Sequence, residues 1–246
     1  MTAEPQRVAI LFIGIGAYQR FWSGFRRSAE TQLLPDADRT FVVFSEHPAA
    51  TFPGADLVLP QDDLGWPGNT LERFRMFARL RGEAHRFDRM IFFNANCELA
   101  STITLPELFG PDADLVACRH PGFFDTPEPK HTYERRAAST ACVARGTVYV
   151  AGGLMGGRTT AFLDACDTLR ANIATDLDRG LLAVWHDESH WNAYIHRDAP
   201  ARGRSVHLLD PGFLYPEGWR LPFPRRIALR DKARVIDVAR IKGAAR

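Results

Sequence analysis

The sequence predicts an α/β fold with a largely parallel sheet flanked by helices, and two observations support this prediction. Short apolar runs alternate along the first half of the chain with segments whose hydrophobic residues recur every three to four positions. The apolar runs are continuous, which is typical of strands that are buried on both faces. Alternation of strands and helices favours a parallel sheet that binds ligands at the carboxyl ends of its strands.

The elements follow from local sequence. Apolar, β-branched or aromatic runs predict strands at residues 8–13, 40–44, 56–59, 90–93, 114–118, 148–151 and 206–209. Helical spacing predicts helices at residues 21–33, 71–81 and 159–177. The proline-rich segment 121–129 is expected to be a loop over the functional site. No repeat or linker is visible, so residues 1–246 are predicted to form a single domain.

Composition narrows the class of protein. The chain has 246 residues, of which 46% are hydrophobic and 24% charged, as is typical of globular enzymes. The formal net charge of +2 argues against a general nucleic-acid binder. Four widely spaced cysteines match neither a zinc knuckle nor a disulfide framework, so reduced thiols in a cytoplasmic protein are expected.

Basic residues concentrate at the C-terminus. From Arg220 onward there are nine Lys or Arg residues against two aspartates, which suits a phosphate-bearing ligand or an anionic membrane surface. The alternative interpretation is that these basic residues belong to a solvent-exposed terminus that binds nothing. The sequence shows no signal peptide and no apolar run of membrane-spanning length. Any work at a membrane is therefore expected to take place at its surface.

The most informative segment is residues 184–192, which combines two adjacent carboxylates, two imidazoles, two indoles and an amide. Indole faces accept the apolar face of a pyranose and carboxylates bind its hydroxyls, so this composition predicts a sugar site. The alternative is an amphipathic helix that begins with Asp187 and Glu188, where the helix dipole favours acids. His186 and His190 are spaced to share a helical face, which leaves a zinc hydrolase as a remote alternative.

Two further segments follow predicted strands: one carries polar side chains, and the other is rich in glycine and so leaves its backbone uncovered. Residues 94–96 read Asn-Ala-Asn, and neutral amides are weak ligands for a hard cation, so either a ligand contact or a simple turn is expected. Four glycines in residues 152–157 favour a ligand lying against bare backbone, or close packing at a bulge. Residues 14–16 resemble a dinucleotide fingerprint, but Gln19 stands where its third glycine is needed.

Taken together, these motifs resemble glycosyltransferase family 6, which comprises retaining α-1,3-galactosyl- and N-acetylgalactosaminyltransferases and includes the ABO blood-group enzymes. Thr-Tyr-Glu-Arg-Arg at 132–136 and Trp-His-Asp-Glu-Ser-His at 185–190 carry the resemblance most specifically. Residues 12–18, 120–123 and 152–157 also match. The resemblance implies a GT-A-type fold with a Rossmann-like sheet.

The resemblance also implies roles for individual residues. Glu188 matches the catalytic glutamate, and Asp187 matches the carboxylate that holds donor-sugar hydroxyls. Arg230, Lys232 or Arg234 should supply a C-terminal cation for the pyrophosphate, with Lys232 taken as the candidate, as the basic tail from about residue 220 closes over the donor. The remaining donor positions are Ile13, Ile15, Tyr18, Arg73, Asn94, Asn96, Ala151, Gly152 and Gly153, and the acceptor positions are His120, Thr132 and Trp185.

The resemblance predicts a bacterial cytoplasmic enzyme, in peripheral contact with the inner membrane, that moves GalNAc, or less favourably Gal, from UDP to a galactoside. The acceptor is expected to be an oligosaccharide or glycolipid that carries α-1,2-linked fucose. Asn-Ala-Asn replaces the Asp-x-Asp of mammalian relatives, so no divalent metal or other cofactor is expected. A UDP-sugar hydrolase and an inactive sugar-binding homologue remain as alternatives.

Overall fold

The main sheet of the computed structural model, which describes residues 4–243, has seven strands in the order β3-β2-β1-β4-β7-β6-β8. β7 is antiparallel to both of its neighbours, and the other strands are parallel to one another. A smaller sheet has the order β5-β10-β9. The strands are β1 (Arg7–Ile13), β2 (Asp38–Ser45), β3 (Leu57–Pro60), β4 (Arg89–Phe93), β5 (Cys97–Leu99), β6 (Leu115–Arg119), β7 (Val150–Arg158), β8 (Val206–Leu209), β9 (Tyr215–Pro216) and β10 (Ile227–Leu229).

Helices cover both faces of the main sheet. They are α1 (Trp22–Gln32), α2 (Gly65–Leu71), α3 (Arg73–Ala78), α4 (Leu105–Phe109), α5 (Thr159–Asp178), α6 (Asp187–Ala193), α7 (Ala199–Ala201) and α8 (Val238–Gly243). Successive residues of β1 point to opposite faces, as the strand period requires. Val8, Ile10 and Phe12 pack in one apolar cluster with α1, and Ala9 and Leu11 pack in the other with α3 and α5. The predicted α/β fold with a mostly parallel sheet is confirmed.

Each predicted strand and helix is present, with two differences in extent or form. The helix expected at residues 71–81 is divided at Glu72 (φ −82°, ψ 4°) into α2 and α3 and then continues as a 3₁₀ helix, Arg79–Arg86. The strand expected at 148–151 runs on as β7 through all four glycines of 152–157. The segment 121–129 is a loop that ends in a short 3₁₀ turn.

Other expectations concern the chain ends and the cysteines. Cys97, Cys118 and Cys166 are buried free thiols, and Cys142 is a half-buried free thiol, as expected. Within residues 4–243, no helix combines the length and apolar character needed to cross a membrane. The first three residues of the predicted domain and the last three of the basic tail lie outside the described residues.

Candidate active site

A cavity opens at the carboxyl ends of β1 and β4, where a parallel sheet is expected to bind ligands. Six of the predicted donor residues line this inner cavity, namely Ile13, Ile15, Tyr18, Arg73, Asn94 and Lys232. A second cavity of about 430 Å³ shares Ile15, Tyr18 and Trp66 with it and continues outward. Ile241 of α8 lines both cavities, so the C-terminal helix forms part of their wall.

Arg73 connects the inner cavity to the adjacent carboxylates. The residue is 8% exposed, and its Nη1 lies 2.8 Å from Asp187 Oδ2 and donates to the Gly152 carbonyl at 2.6 Å. Its guanidinium also lies 4.8 Å from the centre of the Phe92 ring. Because a buried ion pair is costly to break, this contact fixes Asp187 against the start of β7.

Glu188 is held by two hydrogen bonds, one to each carboxylate oxygen. The Tyr149 hydroxyl donates to Oε1 at 3.0 Å, and the Gly152 N–H donates to Oε2 at 2.7 Å. Asn192 lies one turn along α6 and donates to the Glu188 carbonyl at 2.9 Å and to the Val150 carbonyl at 2.8 Å. The carboxylate is therefore preorganised by β7 on one side and α6 on the other.

Burial shifts the pKa of both carboxyls upward. Burial raises the pKa of Asp187 to about 7, against the opposing effect of the Arg73 guanidinium. Burial also raises the pKa of Glu188, and the hydrogen bonds from Gly152 and Tyr149 oppose this rise. Two adjacent acids with raised pKa values, one of them paired with an arginine that lines a cavity, are typical of catalytic groups.

The glycines of β7 serve two different purposes. A Cβ on Gly152 would lie 3.1 Å from Asp187 Oδ2, and a Cβ on Gly153 would lie 2.9 Å from Asn94 Nδ2, so these two face the site. A Cβ on Gly156 or Gly157 would lie 2.2 Å from a backbone oxygen of the neighbouring strand. The first pair thus lets Asp187 and Asn94 lie directly against β7, and the second pair permits close strand packing. Ala151, between Val150 and Gly152, is 5% exposed and packs in the core.

Asn94 and Asn96 have different surroundings. Asn94 lines the inner cavity, whereas Asn96 is 5% exposed and donates through Nδ2 to the Arg230 carbonyl at 2.7 Å. Between residues 4 and 243, no group of three or more His, Cys, Asp or Glu side chains is arranged to hold a metal ion. One neutral amide at the cavity and one turned to the backbone do not fit the carboxylate-rich site that a hard cation prefers.

The three basic candidates of the tail differ in their partners. Arg230 pairs with Glu98 and Glu217, and Arg234 pairs with Glu217 and Asp231. Lys232 instead lines the inner cavity, with Nζ 5.4 Å from the centre of the Tyr18 ring. Burial and the nearby Arg73 charge lower the pKa of Lys232. Lys232 is therefore the cation of this set that faces the cavity.

Two of the predicted acceptor residues, Thr132 and Trp185, contact each other. The third, His120, has its ring centre 5.7 Å from that of Tyr149, which contacts Glu188. Trp185 is 48% exposed, and its Nε1 donates to Thr132 Oγ1 at 2.8 Å, which fixes the plane of an indole that faces solvent. His120 is half-buried and accepts the Gly122 N–H at 3.0 Å, and burial lowers its pKa to about 4. A neutral imidazole and an oriented indole are groups that bind sugar hydroxyls and ring faces.

The Thr-Tyr-Glu-Arg-Arg motif positions this acceptor side. Glu134 is 3% exposed, accepts the Val184 N–H at 3.1 Å and pairs with Arg136 at 2.7 Å. Arg136 in turn donates to the Leu182 carbonyl at 2.5 Å. The Arg136 guanidinium and the N–H donors of Arg136 and Val184 lower the pKa of Glu134 to about 2. The bonds to Val184 and Leu182 tie the motif to the segment that precedes Trp185.

The two histidines of 184–192 do not share a helical face, so the expectation behind a zinc site is wrong. His186 precedes α6 with φ 52°, and its ring lies edge-on to Trp66 at 5.0 Å. His190 is 2% exposed within α6, with Nε2 3.8 Å from Asp176. A positive φ at a non-glycine residue costs about 1–3 kcal/mol, and such strain is concentrated at functional sites.

Sequence reasoning missed several residues of the site. Trp66, Asn69 and Thr70 line the inner cavity, and Tyr149 contacts Glu188. Trp219 is 49% exposed and lies beside Gly122 on the acceptor side. Tyr149 and Glu188 are 39 residues apart, and no local pattern predicts a contact at that separation.

Comparisons with known proteins agree with this geometry. The chain is 27% identical over 232 residues to the O-antigen biosynthesis glycosyltransferase WbnI of Escherichia coli, with 92% of this chain and 95% of that protein covered. It is 27% identical over 235 residues to globoside α-1,3-N-acetylgalactosaminyltransferase 1 of Homo sapiens and 24% over 234 residues to histo-blood group ABO system transferase 1 of Rattus norvegicus. The alignments cover 90% and 86% of this chain but only 64% and 62% of those two proteins.

The chain also matches a sequence profile of a protein family. The profile described as Glycosyltransferase family 6 matches residues 70–234, which include Arg73, the Asn-Ala-Asn segment, β7 and the two carboxylates. The seven-stranded, mostly parallel sheet flanked by helices is the GT-A-type fold of that family. The chain therefore belongs to glycosyltransferase family 6.

Proposed function

We propose that the protein is a retaining α-1,3-glycosyltransferase that moves GalNAc, in preference to Gal, from UDP to a galactoside. The observation that carries the proposal is the buried pair Arg73–Asp187, in which Arg73 lines the inner cavity, beside a Glu188 carboxylate that is held by two hydrogen bonds. Two of the relatives described above are named for α-1,3-N-acetylgalactosaminyl or blood-group transfer.

Charge supports the placement of the donor. Departure of UDP develops negative charge on the leaving phosphate and positive charge at the anomeric carbon, and preorganised opposite charges stabilise both. Lys232 faces the cavity from the C-terminal segment and would contact the pyrophosphate, while Ile13, Ile15 and Tyr18 would contain the uridine. Asp187 would then accept hydroxyls of the donor sugar, with its orientation set by Arg73.

Glu188 would face the reactive carbon. As a nucleophile it would form a glycosyl–enzyme ester as the bond from the anomeric carbon to UDP breaks. The acceptor hydroxyl would then attack the same carbon, break the ester and free the Glu188 carboxylate, and pass its proton to the departed diphosphate. In a same-face transfer it would stabilise the oxocarbenium-like centre without forming a bond. Both routes retain the anomeric configuration, and both require an ionised carboxylate.

The preference for GalNAc follows from the glycines at the start of β7. Gly152 and Gly153 place no side chain of their own beside Asp187 and Asn94, which lie within 3.1 Å of where a Cβ would be, so the acetamido group of a bound donor would meet these polar side chains and not an apolar one. The exposed Trp185 indole and His120 would contact a galactoside acceptor that carries α-1,2-linked fucose. Such an acceptor on an oligosaccharide or glycolipid also fits a cytoplasmic enzyme at the inner face of a bacterial membrane.

We also place no divalent cation in the mechanism. The side chains at Asn94 and Asn96 do not fit such an ion, and Lys232 supplies positive charge at the cavity. The chemistry of these residues therefore supports transfer without metal.

The test is incubation with UDP-GalNAc or UDP-Gal and 2′-fucosyllactose, with glycoside and free UDP measured separately. We expect glycoside to form in step with UDP, with a higher kcat/KM for UDP-GalNAc. Equal or faster reaction with UDP-Gal would contradict the donor assignment. UDP release that no acceptor diverts into glycoside would indicate a UDP-sugar hydrolase, and donor binding without either product would indicate a binding protein.

The pH dependence of kcat/KM follows from the two carboxyls and the lysine. Because the pKa of Asp187 is raised to about 7 and that of Glu188 is raised, protonation should abolish activity as the pH falls through about 7. Because the pKa of Lys232 is lowered, activity should also fall at a pH below the ordinary range of lysine. The Lys232→Arg variant should lack the alkaline fall. An acid limb near pH 4, the ordinary carboxylate range, would contradict the role of these carboxyls.

A further inference from the structure

Tyr149 is a residue whose contacts the proposed reaction has not yet used. It is 2% exposed, and its ring lies in an aromatic cluster with Tyr133 at 5.1 Å and Phe123 at 4.7 Å. Its hydroxyl donates to Glu188 Oε1 at 3.0 Å. Packing alone would be satisfied by phenylalanine, so the hydroxyl calls for a separate explanation.

The proton of this hydroxyl is directed to Glu188. Burial raises the pKa of Tyr149, and the Glu188 charge raises it further, so the phenol stays protonated. A protonated phenol beside a carboxylate donates to it, which is the direction of the bond at 3.0 Å.

On the basis of the proposed function, we infer that Tyr149 is a positioning residue that keeps Glu188 ionised and oriented. Its hydroxyl lies 3.0 Å from Glu188 Oε1 and acts through that oxygen. The Gly152 N–H holds the other oxygen at 2.7 Å, so the two donors together fix the plane of the carboxylate.

The test is a direct titration of Glu188 in protein labelled with ¹³C at the glutamate carboxyl, without substrate. The resonance is assigned by its loss in the Glu188→Gln variant. Deletion of a hydrogen bond to the charged form should raise the Glu188 midpoint by about one pH unit in Tyr149→Phe. Asp187 and Arg73 are the charged groups that also face Glu188, and they are the same in each protein compared.

Tyr133→Phe is the matched control, because Tyr133 belongs to the same aromatic cluster but donates its hydroxyl to the Val148 carbonyl at 2.7 Å. This variant should leave the Glu188 midpoint unchanged. Replacement of the five tyrosines by 3-fluorotyrosine, a stronger hydrogen-bond donor, should lower the midpoint. That measurement gives the opposite sign and does not depend on the Phe variant folding.

Kinetics supply the second readout. Tyr149→Phe should lower kcat about tenfold with little change in KM for the UDP-sugar, since the lost contact orients the carboxylate and does not bind the donor. An unchanged Glu188 midpoint in both Tyr149→Phe and the fluorotyrosine protein would overturn the inference. Equal shifts in Tyr149→Phe and Tyr133→Phe would also overturn it. The titration is carried out without substrate, so it can be measured even if the protein does not catalyse the proposed transfer. Failure of the proposed function and failure of this inference are therefore distinguishable.

Discussion

Replacement of Glu188 by glutamine is expected to lower kcat on the order of 10²–10³-fold or more while leaving donor affinity nearly intact. The neutral amide can still accept one of the hydrogen bonds that Tyr149 and Gly152 now donate, so the fold and the cavity should persist. It offers neither a nucleophile nor a negative charge to the anomeric carbon. Single-turnover rates and calorimetric UDP binding measure the two effects separately.

Glu83→Gln is a suitable control for the Glu188 variant, because Glu83 is a half-exposed carboxylate paired with Arg86 on the surface. It removes the same charge and should leave kcat unchanged. Near-normal turnover in Glu188→Gln would remove Glu188 from the mechanism. Loss of UDP binding together with turnover would indicate that the glutamate supports the cavity instead.

Replacement of Lys232 by methionine is the second change with a large expected effect. Methionine keeps an apolar stem of similar length beside Tyr18 but removes the cation from the cavity. Loss of one preorganised charge at a developing phosphate anion should lower kcat about 10²–10³-fold. UDP affinity should fall as well, because the ground-state pyrophosphate is also charged. Initial rates and UDP binding would be measured in parallel.

Arg234→Met is the matched control for this variant, because it removes one charge from the same segment. Arg234 pairs with Glu217 at 3.2 Å and with Asp231 at 3.8 Å on the outer side of that segment. Its loss should change kcat less than about threefold, which is the range expected for an exposed ion pair. A greater loss in Arg234→Met than in Lys232→Met would reverse the assignment of the cation.

The sequence predicts the sheet well where strands are buried on both faces. The apolar runs that form β1 and β4 are continuous, and the structure places each close to its expected bounds. β7 was only partly predicted, because Gly156 and Gly157 provide no hydrophobic pattern and lie in the strand through contacts with neighbouring backbone. Those contacts come from residues 66 and 43 positions earlier in the chain, at Met90 and Asp114.

The candidate site was predictable where its residues lie in one short segment, and less predictable where distant segments of the chain come together. Asp187 and Glu188 follow from one segment, and the resemblance supplied Arg73 and Lys232, which the structure places at the same cavity. The orientation of His186 depends on a positive φ that residue type does not indicate. Which basic residue of the C-terminal segment faces the cavity depends on ion pairs between distant residues, because Glu98 and Glu217 pair with Arg230.

The central claim is retaining transfer by this chain's own residues, and the most direct measurement is product analysis in the presence of excess EDTA. UDP-GalNAc and 2′-fucosyllactose would be incubated with the protein, and the new linkage identified by NMR. We predict an α-1,3-linked GalNAc product at the same rate with and without EDTA. A β-linked product, or activity abolished by EDTA and restored by Mn²⁺, would contradict it.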